Sequence, residues 1–600
     1  MNGIVYCLFI TQKLLCRGPC LAFNSCIYFK STFMRKYLFL FVLLLSNYIS
    51  GFTQTEAGNS TPIILRGTII IPEGVILHGY VGIVNGRIVS VSENAPDLAN
   101  AVSVNTHGII LPGFVDAHNH LRSNVVPRWK PNRIYSNRYQ WRQDPEFVRL
   151  VNGPISSVGS TNFCDMNKWA ELRALAGGTT SIMTTQAELC IRGMVRNLDY
   201  NSGFYGTTQL NLEHTYNVLD LPPANAPAAR AEFVFVATNF FIANPFYEAL
   251  LIHLAEGTDA FSLEEFTFMQ SQSLLNSKGV VIHGIALRPT DFRAMSLNGT
   301  SLVWSPRSNL ELYGATADIN AALDAGVEIA LAPDWAVTGS SNMLNELKVA
   351  ALWNSERLGG RINDRQLVDM ATSIPAHIAG IDDEVGAIKV GLRADIAVIN
   401  GDHNNPYKAV IDATAADVDL VFINGVPLYG DRIFMKHFWE ESELEEIKSP
   451  EATKTLATPA VNFLVSDVGN RLELALQREG TSLAPLTEAN DFVLAVQTAA
   501  RFPAHTNTAN DIREERTPTD KLTITALPNP SRNYFTLRIQ TNSEELLELR
   551  VMDASGRIVE AKHGMVPYTT FHICNNFRAG VYLVEVTQGK QRQILKLIRQ

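Results

Sequence analysis

Between Pro62 and Val91 apolar and polar residues alternate, and the alternation breaks at Pro72-Glu73-Gly74 and again at Asn85-Gly86. A period of two places every second side chain on one face, so this stretch predicts short strands joined by hairpin turns. The pattern returns at residues 386–430 (GAIKVGLRADIAVIN, then DLVFINGVPLYG), with a second Asn-Gly turn at Asn424-Gly425. Between these two β stretches the rhythm changes. Short unbroken apolar runs alternate with helical ones, as in WAELRALAGG before TTSIM and DINAALDAG before VEIALAPD. Unbroken apolar runs suit strands buried on both faces, and their alternation with helices predicts a parallel sheet.

Beyond Gly430 the acidic run WEESELEEIK is expected to be helical, TPTD near residue 517 reads as a linker, and residues 431 to 515 suggest no purpose. From Leu522 to Gln600 a compact β domain is expected, with alternation at Phe535, Leu537 and Ile539, a turn at Ser555-Gly556, and closing runs VYLVEV and ILKLI. The chain therefore divides into residues 1–54, 55–113, 114–385, 386–430, 431–521 and 522–600.

Composition narrows the function. With 600 residues, 46% hydrophobic and 18% charged, the chain is long enough for several packed domains. A net charge of −9 without a long basic run repels nucleic acid, which favours a small-molecule substrate. From Met34 the chain reads MRKYLFLFVLLLSNYISGFTQ: two cations, an apolar run from Tyr37 to Leu45, then small and polar residues. That is the layout of a secretory signal and is short for a membrane span, so Met34 is the expected start and no stable transmembrane span is expected. Only Cys164, Cys190 and Cys574 follow it, implying neither a disulfide framework nor a zinc-cysteine cluster.

The candidate chemistry sits where apolar runs end. GIILPGFVDA ends in His118-Asn119-His120, ALLI in His253 with Glu256 three residues on, KGVVI in His283, and GVEIALAP in Asp334. Barrel chemistry gathers at the C-terminal ends of strands, and alternate strand residues share a side, so His118 and His120 can point together into a barrel mouth. Imidazole nitrogen and carboxylate oxygen suit zinc first and iron second, and His118, His120, His253 and Asp334 would supply the ligands. Such an ion lowers the pKa of bound water, while a nearby carboxylate and imidazole move protons. Arg196 and Asn197, in CIRGMVRNLD, and Arg307, in SPRSN, are expected substrate contacts because loops after barrel strands face the site.

Over roughly residues 61 to 430 these motifs resemble the amidohydrolase superfamily, in its chlorohydrolase and nucleobase-deaminase branch. GFVDAHNH resembles the family's first-strand signature, HLAEG its fifth-strand motif, VVIHG its sixth, and WSPRSNLELYG followed by GVEIALAPDW the approach to its eighth-strand aspartate. The resemblance implies a (β/α)8 barrel flanked by a small composite β-sandwich. It makes His118, His120, His253 and Asp334 metal ligands, Asp334 also a proton acceptor, His283 an orienting group and Glu256 the proton shuttle. Binuclear relatives use a carboxylated lysine on the fourth strand, and none occurs between Lys168 and Lys278, so one divalent metal is expected. Glu213, Glu232 and Glu248 are the carboxylates left to bridge a second ion, and His214 is the spare histidine. The expected activity is hydrolysis of a non-peptide carbon-nitrogen bond, by deamination or ring opening. A lactonase, a carbon-halogen hydrolase and a non-catalytic surface binding protein are the alternatives.

The tail carries its own resemblance. ALPNPSRNYFTLRI, VMDASGRIVE and AGVYLVEVTQGKQRQILKLI resemble the C-terminal sorting domain of type IX secretion. That implies passage through the periplasm, the type IX machinery as partner, and a secreted or cell-surface destination.

Overall fold

The computed structural model describes residues 61–183, 194–198, 215–243, 247–488, 522–527, 529–531, 535–540, 547–565, 570–573 and 577–600. The expected leader and Met34 start lie outside the described residues, as do Glu213, His214 and the side chain of Glu248.

The described chain has an α/β fold. Eight strands lie in two arcs with parallel pairing throughout: Phe114–Asp116, Thr179–Ile182 and Arg196–Asn197 in one, and Thr215–Asp220, Tyr247–Leu254, Gly279–His283, Ser301–Trp304 and Ile329–Leu331 in the other. A parallel bridge joins Asn119 to Asp334, just past the first and the last of these strands. The unbroken apolar runs are explained by burial on both sides. Ala249, Leu251, Val280, Ile282, Val303 and Ala330 pack in one core, whereas the alternating Leu250, Ile252, Val281 and Leu302 pack in another.

Residues before and after the parallel strands meet in one nine-stranded sheet, in which Val102–Pro112 pairs with Ile396–Ile399. The hairpin turns lie where the Asn-Gly pairs predict: Asn85 and Gly86 have φ of 49° and 76°, Asn424 and Gly425 52° and 74°. The two turns abut so closely that a Cβ on Gly86 would lie 2.7 Å from the Asn424 carbonyl oxygen.

Two expectations change here. WEESELEEIK is not a helix: a short turn over Glu441–Glu443 leads into the strand Leu444–Lys448, which pairs with Thr453–Ala457 at the sheet edge. Glu446 and Lys448 face solvent while Ile447 is buried, so the charges line an exposed edge, where they discourage pairing with another chain. Residues 431 to 488 also gain a purpose. The helix Val465–Arg478 packs Val468, Leu472 and Leu476 against Val158 and Met166 of the long helix Gly153–Ala176. Past that helix Ala484 N–H donates to the Val125 carbonyl at 2.8 Å, and Glu488 accepts from Arg173 at 2.7 Å. This segment buttresses the loop that follows the first strand.

Cys164, on the long helix, is disulfide-bonded, a single bridge where the sequence implied no disulfide framework. The last described residues form two antiparallel sheets around a shared core that includes Phe535, Leu537, Leu549, Val551, Val584 and Leu597. No helix among the described residues is long and apolar enough to cross a membrane.

Candidate metal centre

The strand ends bring the expected ligands to one point. His118 Nε2 lies 3.0 Å from Asp334 Oδ1 and 3.2 Å from His253 Nε2, and His120 Nε2 lies 3.5 Å from the same Asp334 oxygen. One ring proton cannot satisfy all these contacts, whereas a shared cation can. Ligand atoms about 2.0–2.1 Å from a tetrahedral ion stand roughly 3.3 Å apart, which is the spacing found. His118, His120 and His253 form one group able to hold a metal ion, and His118, His283 and Asp334 an overlapping one. The donor set fits a divalent metal.

Electrostatics prepare the cluster for a cation. Burial holds His120 and His253 down at about 3, so both rings are neutral and offer lone pairs at neutral pH. Burial pushes the Asp334 carboxyl upward, but the His118 hydrogen bond and the surrounding imidazoles outweigh it and keep the group far below the ordinary carboxylate range. Ser308 Oγ donates to Asp334 Oδ2 at 2.5 Å.

Backbone geometry aims the side chains. Strand alternation would put His283 with Val281 on the helix-facing side. A left-handed conformation at His283 (φ 74°) breaks the alternation, and its ring lies 5.6 Å from those of His118 and His253. Asp334 (φ 68°) and Ala255 (φ 54°), inside the His253 to Glu256 turn, adopt the same uncommon region. Three such residues at neighbouring strand ends mark a functional turn set.

Glu256 is buried beside the cluster. Its Oε1 accepts from Tyr313 Oη at 2.6 Å and lies 3.9 Å from His283 Nε2. Tyr313 Oη in turn accepts from Trp141 Nε1 at 2.7 Å. His283 Nδ1 lies 2.9 Å from Asn309 Oδ1, which fixes the proton on that nitrogen and leaves Nε2 free to accept. Among the buried atoms without a hydrogen-bond partner are His283 Nε2 and Glu256 Oε2, both beside the cluster.

Sequence reasoning missed the residues that hold this arrangement. Asp220 Oδ1 lies 2.9 Å from His253 Nδ1, a carboxylate on the far nitrogen that orients the ring and raises its basicity. Its position at the end of Thr215–Asp220 was the available signal. Arg138 is buried, donates to Glu265 at 3.0 Å and to the Leu221 carbonyl at 2.8 Å, and lies 4.0 Å from Glu256 Oε2.

The expected substrate contacts fare differently. Arg196 is fully buried and makes two 2.9 Å hydrogen bonds to Asp395, so it ties its strand to the nine-stranded sheet instead of facing a substrate. Arg307 is buried beside Glu346, which accepts its backbone N–H at 3.1 Å. Asn197 is buried in the strand next to Ile182. Glu232 is exposed on the helix Pro227–Ala243.

Residues 250–428 match the amidohydrolase family and residues 525–600 the secretion system C-terminal sorting domain. The 5-methylthioadenosine/S-adenosylhomocysteine deaminase of Caldicellulosiruptor saccharolyticus is 23% identical over 429 residues, covering 65% of this chain and 98% of that protein. Deaminase 1 of the same name from Syntrophus aciditrophicus is 25% identical over 381 residues, covering 57% and 84%. A zinc-bound adenosine deaminase from Xanthomonas campestris superposes with a TM-score of 0.50 at 17% identity, covering 70% of this chain and 99% of its own. That last likeness is one of fold. Residues 250–428 are thus similar to the amidohydrolase family, residues 525–600 to a secretion sorting domain, and much of the chain to 5-methylthioadenosine/S-adenosylhomocysteine deaminases.

Proposed function

We propose that the protein is an exported, metal-dependent hydrolase that deaminates a purine-type nucleoside, on a (β/α)8 barrel flanked by the nine-stranded β domain. The observation that carries this reading is the convergence of three imidazoles and Asp334 on one point, with Glu256 and His283 at its side. His118, His120, His253 and Asp334 hold one ion, with zinc preferred over iron. When bound, the ion activates water as a nucleophile near neutral pH.

The chain's own residues do the rest. Water adds to the carbon that bears the amine, the carbon-nitrogen bond breaks, and ammonia leaves. Asp334 accepts a proton from the water and later gives it to the departing amine, and the added hydroxyl gives up its proton to Glu256 as the carbonyl forms. Glu256, held by Tyr313, delivers a proton to the ring nitrogen next to the reacting carbon. His283, with Nε2 directed at the cluster, accepts a hydrogen bond from the attacking water and orients it. Purified mature protein supplied with zinc should release ammonia from adenosine-type nucleosides. Activity confined to esters would contradict the reading.

Export follows from the two ends of the chain. The leader at Met34 directs the protein to the periplasm and the tail engages the type IX machinery, giving a mature enzyme that begins near residue 54 and lacks residues 522–600. The Cys164 disulfide suits an oxidising compartment. Mass spectrometry of cell-surface and medium fractions tests this, and an intact tail on cytoplasmic protein would refute it.

A further inference from the structure

One short helix touches three groups of the site at once. The helix Pro306–Tyr313 follows the strand Ser301–Trp304, and three of its side chains end on three different partners. Ser308 Oγ donates to Asp334 Oδ2 at 2.5 Å, Asn309 Oδ1 faces His283 Nδ1 at 2.9 Å, and Tyr313 Oη donates to Glu256 Oε1 at 2.6 Å. Asn309 and Tyr313 are four residues apart and share a face, with Ser308 about 100° round the axis. A small slide or rotation of the helix would therefore move a metal ligand, an orienting imidazole and a proton carrier together.

About two turns of helix do not hold their place alone, so the contacts at the ends decide where this one sits. At the C-terminal end Gly314, with a left-handed φ of 63°, donates its N–H to the Leu310 carbonyl at 3.0 Å, and the Tyr135 N–H donates to the Leu312 carbonyl at 2.8 Å. The N-terminal end is unusual. Ser305 stands in the capping position but makes no side-chain capping bond, its hydroxyl has no hydrogen-bond partner, and Pro306 has no N–H to satisfy. The Arg307 N–H goes instead to Glu346 Oε1 at 3.1 Å, a carboxylate from another helix, Met343–Arg357. Glu346 is wholly buried, and burial pushes its carboxyl up to about 7. A serine already stands where a local cap could form, so stability alone does not account for a buried carboxyl reaching in from elsewhere.

We propose that the helix Pro306–Tyr313 is a bracket that aims Asp334, His283 and Glu256 together, and that Glu346 is the positioning residue that fixes the bracket. The proposal rests on the deaminase reading above for the roles of those three groups, and adds a residue that acts through the helix. Glu346 meets the helix at Arg307, and Tyr313 leaves it six residues on, about 9 Å along the axis. Substitutions that far apart usually act independently. In a bracket they do not, because displacing one end withdraws the other from its partner.

The test follows ammonia release from adenosine by the mature, zinc-loaded protein, with zinc content and thermal midpoint measured for each variant. Glu346→Ala should lower kcat per folded molecule by about 10²-fold, as a displacement of about 1 Å does, with KM and zinc content at the parent values. Glu346→Gln keeps an oxygen in place to accept the Arg307 N–H and should recover most of that rate. Tyr313→Phe should lower kcat in the parent and add little in the Glu346→Ala background. If Glu346→Ala does not fold, Glu346→Asp, which keeps the carboxyl but withdraws it by one methylene, takes its place in every comparison. Cobalt-substituted protein gives a readout that needs no turnover: its visible absorption follows ligand geometry, and Glu346→Ala should change that spectrum as Ser308→Ala does. The bracket is overturned if the Glu346 and Tyr313 losses multiply, if the midpoint falls while kcat per folded molecule holds, or if Glu346→Gln is as slow as Glu346→Ala. A parent that releases no ammonia removes the deaminase reading, and the cobalt spectra then decide the bracket alone: a Glu346→Ala spectrum equal to the parent's overturns it, and a changed one supports it.

Discussion

Two buried charge clusters in this molecule look alike in composition and differ in how they are satisfied. Where the strand Arg196–Asn197 meets the nine-stranded sheet, Arg196 and Asp395 are joined by two hydrogen bonds, and Asp395 also accepts the Asn424 backbone N–H at 2.7 Å. Nearby, Arg393 pairs with Glu384 at 2.7 Å and donates to Asn424 Oδ1 at 3.0 Å. At the strand ends, His118, His253 and Asp334 crowd around one point while His283 Nε2 and Glu256 Oε2 have no hydrogen-bond partner. Burying an unpaired polar group costs free energy that a fold would otherwise avoid. Charges closed on one another by hydrogen bonds therefore mark an anchor, even with the Asn424 amide Nδ2 unpaired beside them, and convergent groups left open mark a place for a ligand.

The largest effect expected from this contrast is catalytic. Asp334→Asn keeps the shape but removes a negative ligand and a proton acceptor, so kcat/KM should fall by roughly 10³-fold or more. Its thermal midpoint should change little, because the ligands stand on strands with their own packed core. Full activity in this variant, measured by ammonia release, would break the contrast.

Glu256→Gln comes next. It should lower kcat by roughly 10²–10⁴-fold, the usual share of a positioned proton carrier, while elemental analysis still finds the parent's metal content. Loss of metal would instead make Glu256 a ligand.

The anchor cluster should respond in the opposite way. Arg196→Ala leaves Asp395 buried without its partner and should destabilise the fold by roughly 3–5 kcal/mol, as breaking a buried ion pair does. Urea unfolding measures that loss, and kcat/KM per folded molecule should stay at the parent value. A large change in KM would return Arg196 to the substrate site.

Much of the site was legible in the sequence because its residues close apolar runs in a fixed order: His118-Asn119-His120, His253 with Glu256, His283, then Asp334. A strand that is buried on both sides and ends in a polar side chain gives that side chain little to do except chemistry. The supporting residues were not legible. Asp220 reaches the cluster from the end of its strand, and Asn309 and Tyr313 reach it from one helix, Pro306–Tyr313, whose role beside the site no single residue type announces. The anchoring partner of Arg196 was not legible for a related reason, since Asp395 lies 199 residues away in the chain. WEESELEEIK misled through local propensity. Glu, Leu and Lys favour helices, but pairing with Thr453–Ala457 and the burial of Ile447 decided for a strand. The Asn-Gly turns were legible because their left-handed backbone is a local demand met by local residues.

The smallest expected effect is a flat response. His120 and His253 are held at about 3, against an ordinary value of 6.5. They are already deprotonated across the neutral and mildly acidic range, so zinc does not displace protons from them there. Zinc affinity, measured by chelator competition, should show no weakening from these two rings between 6.5 and about 4, and should weaken as pH falls through about 3. Ordinary histidines would lose affinity about tenfold per pH unit per ring below 6.5. Such a decline would mean that burial does not set these pKa values.

The central claim is that one ion, held where the buried contacts are left open, is the catalytic part of a scaffold that stands without it. The most direct test strips the mature protein of metal, titrates zinc back, and follows ammonia release from an adenosine-type nucleoside together with the circular dichroism spectrum. Activity should vanish on stripping, return in full at one equivalent of zinc per chain, and leave the spectrum unchanged throughout. Activity that survives stripping, a requirement for two equivalents, or unfolding on removal of the ion would contradict it.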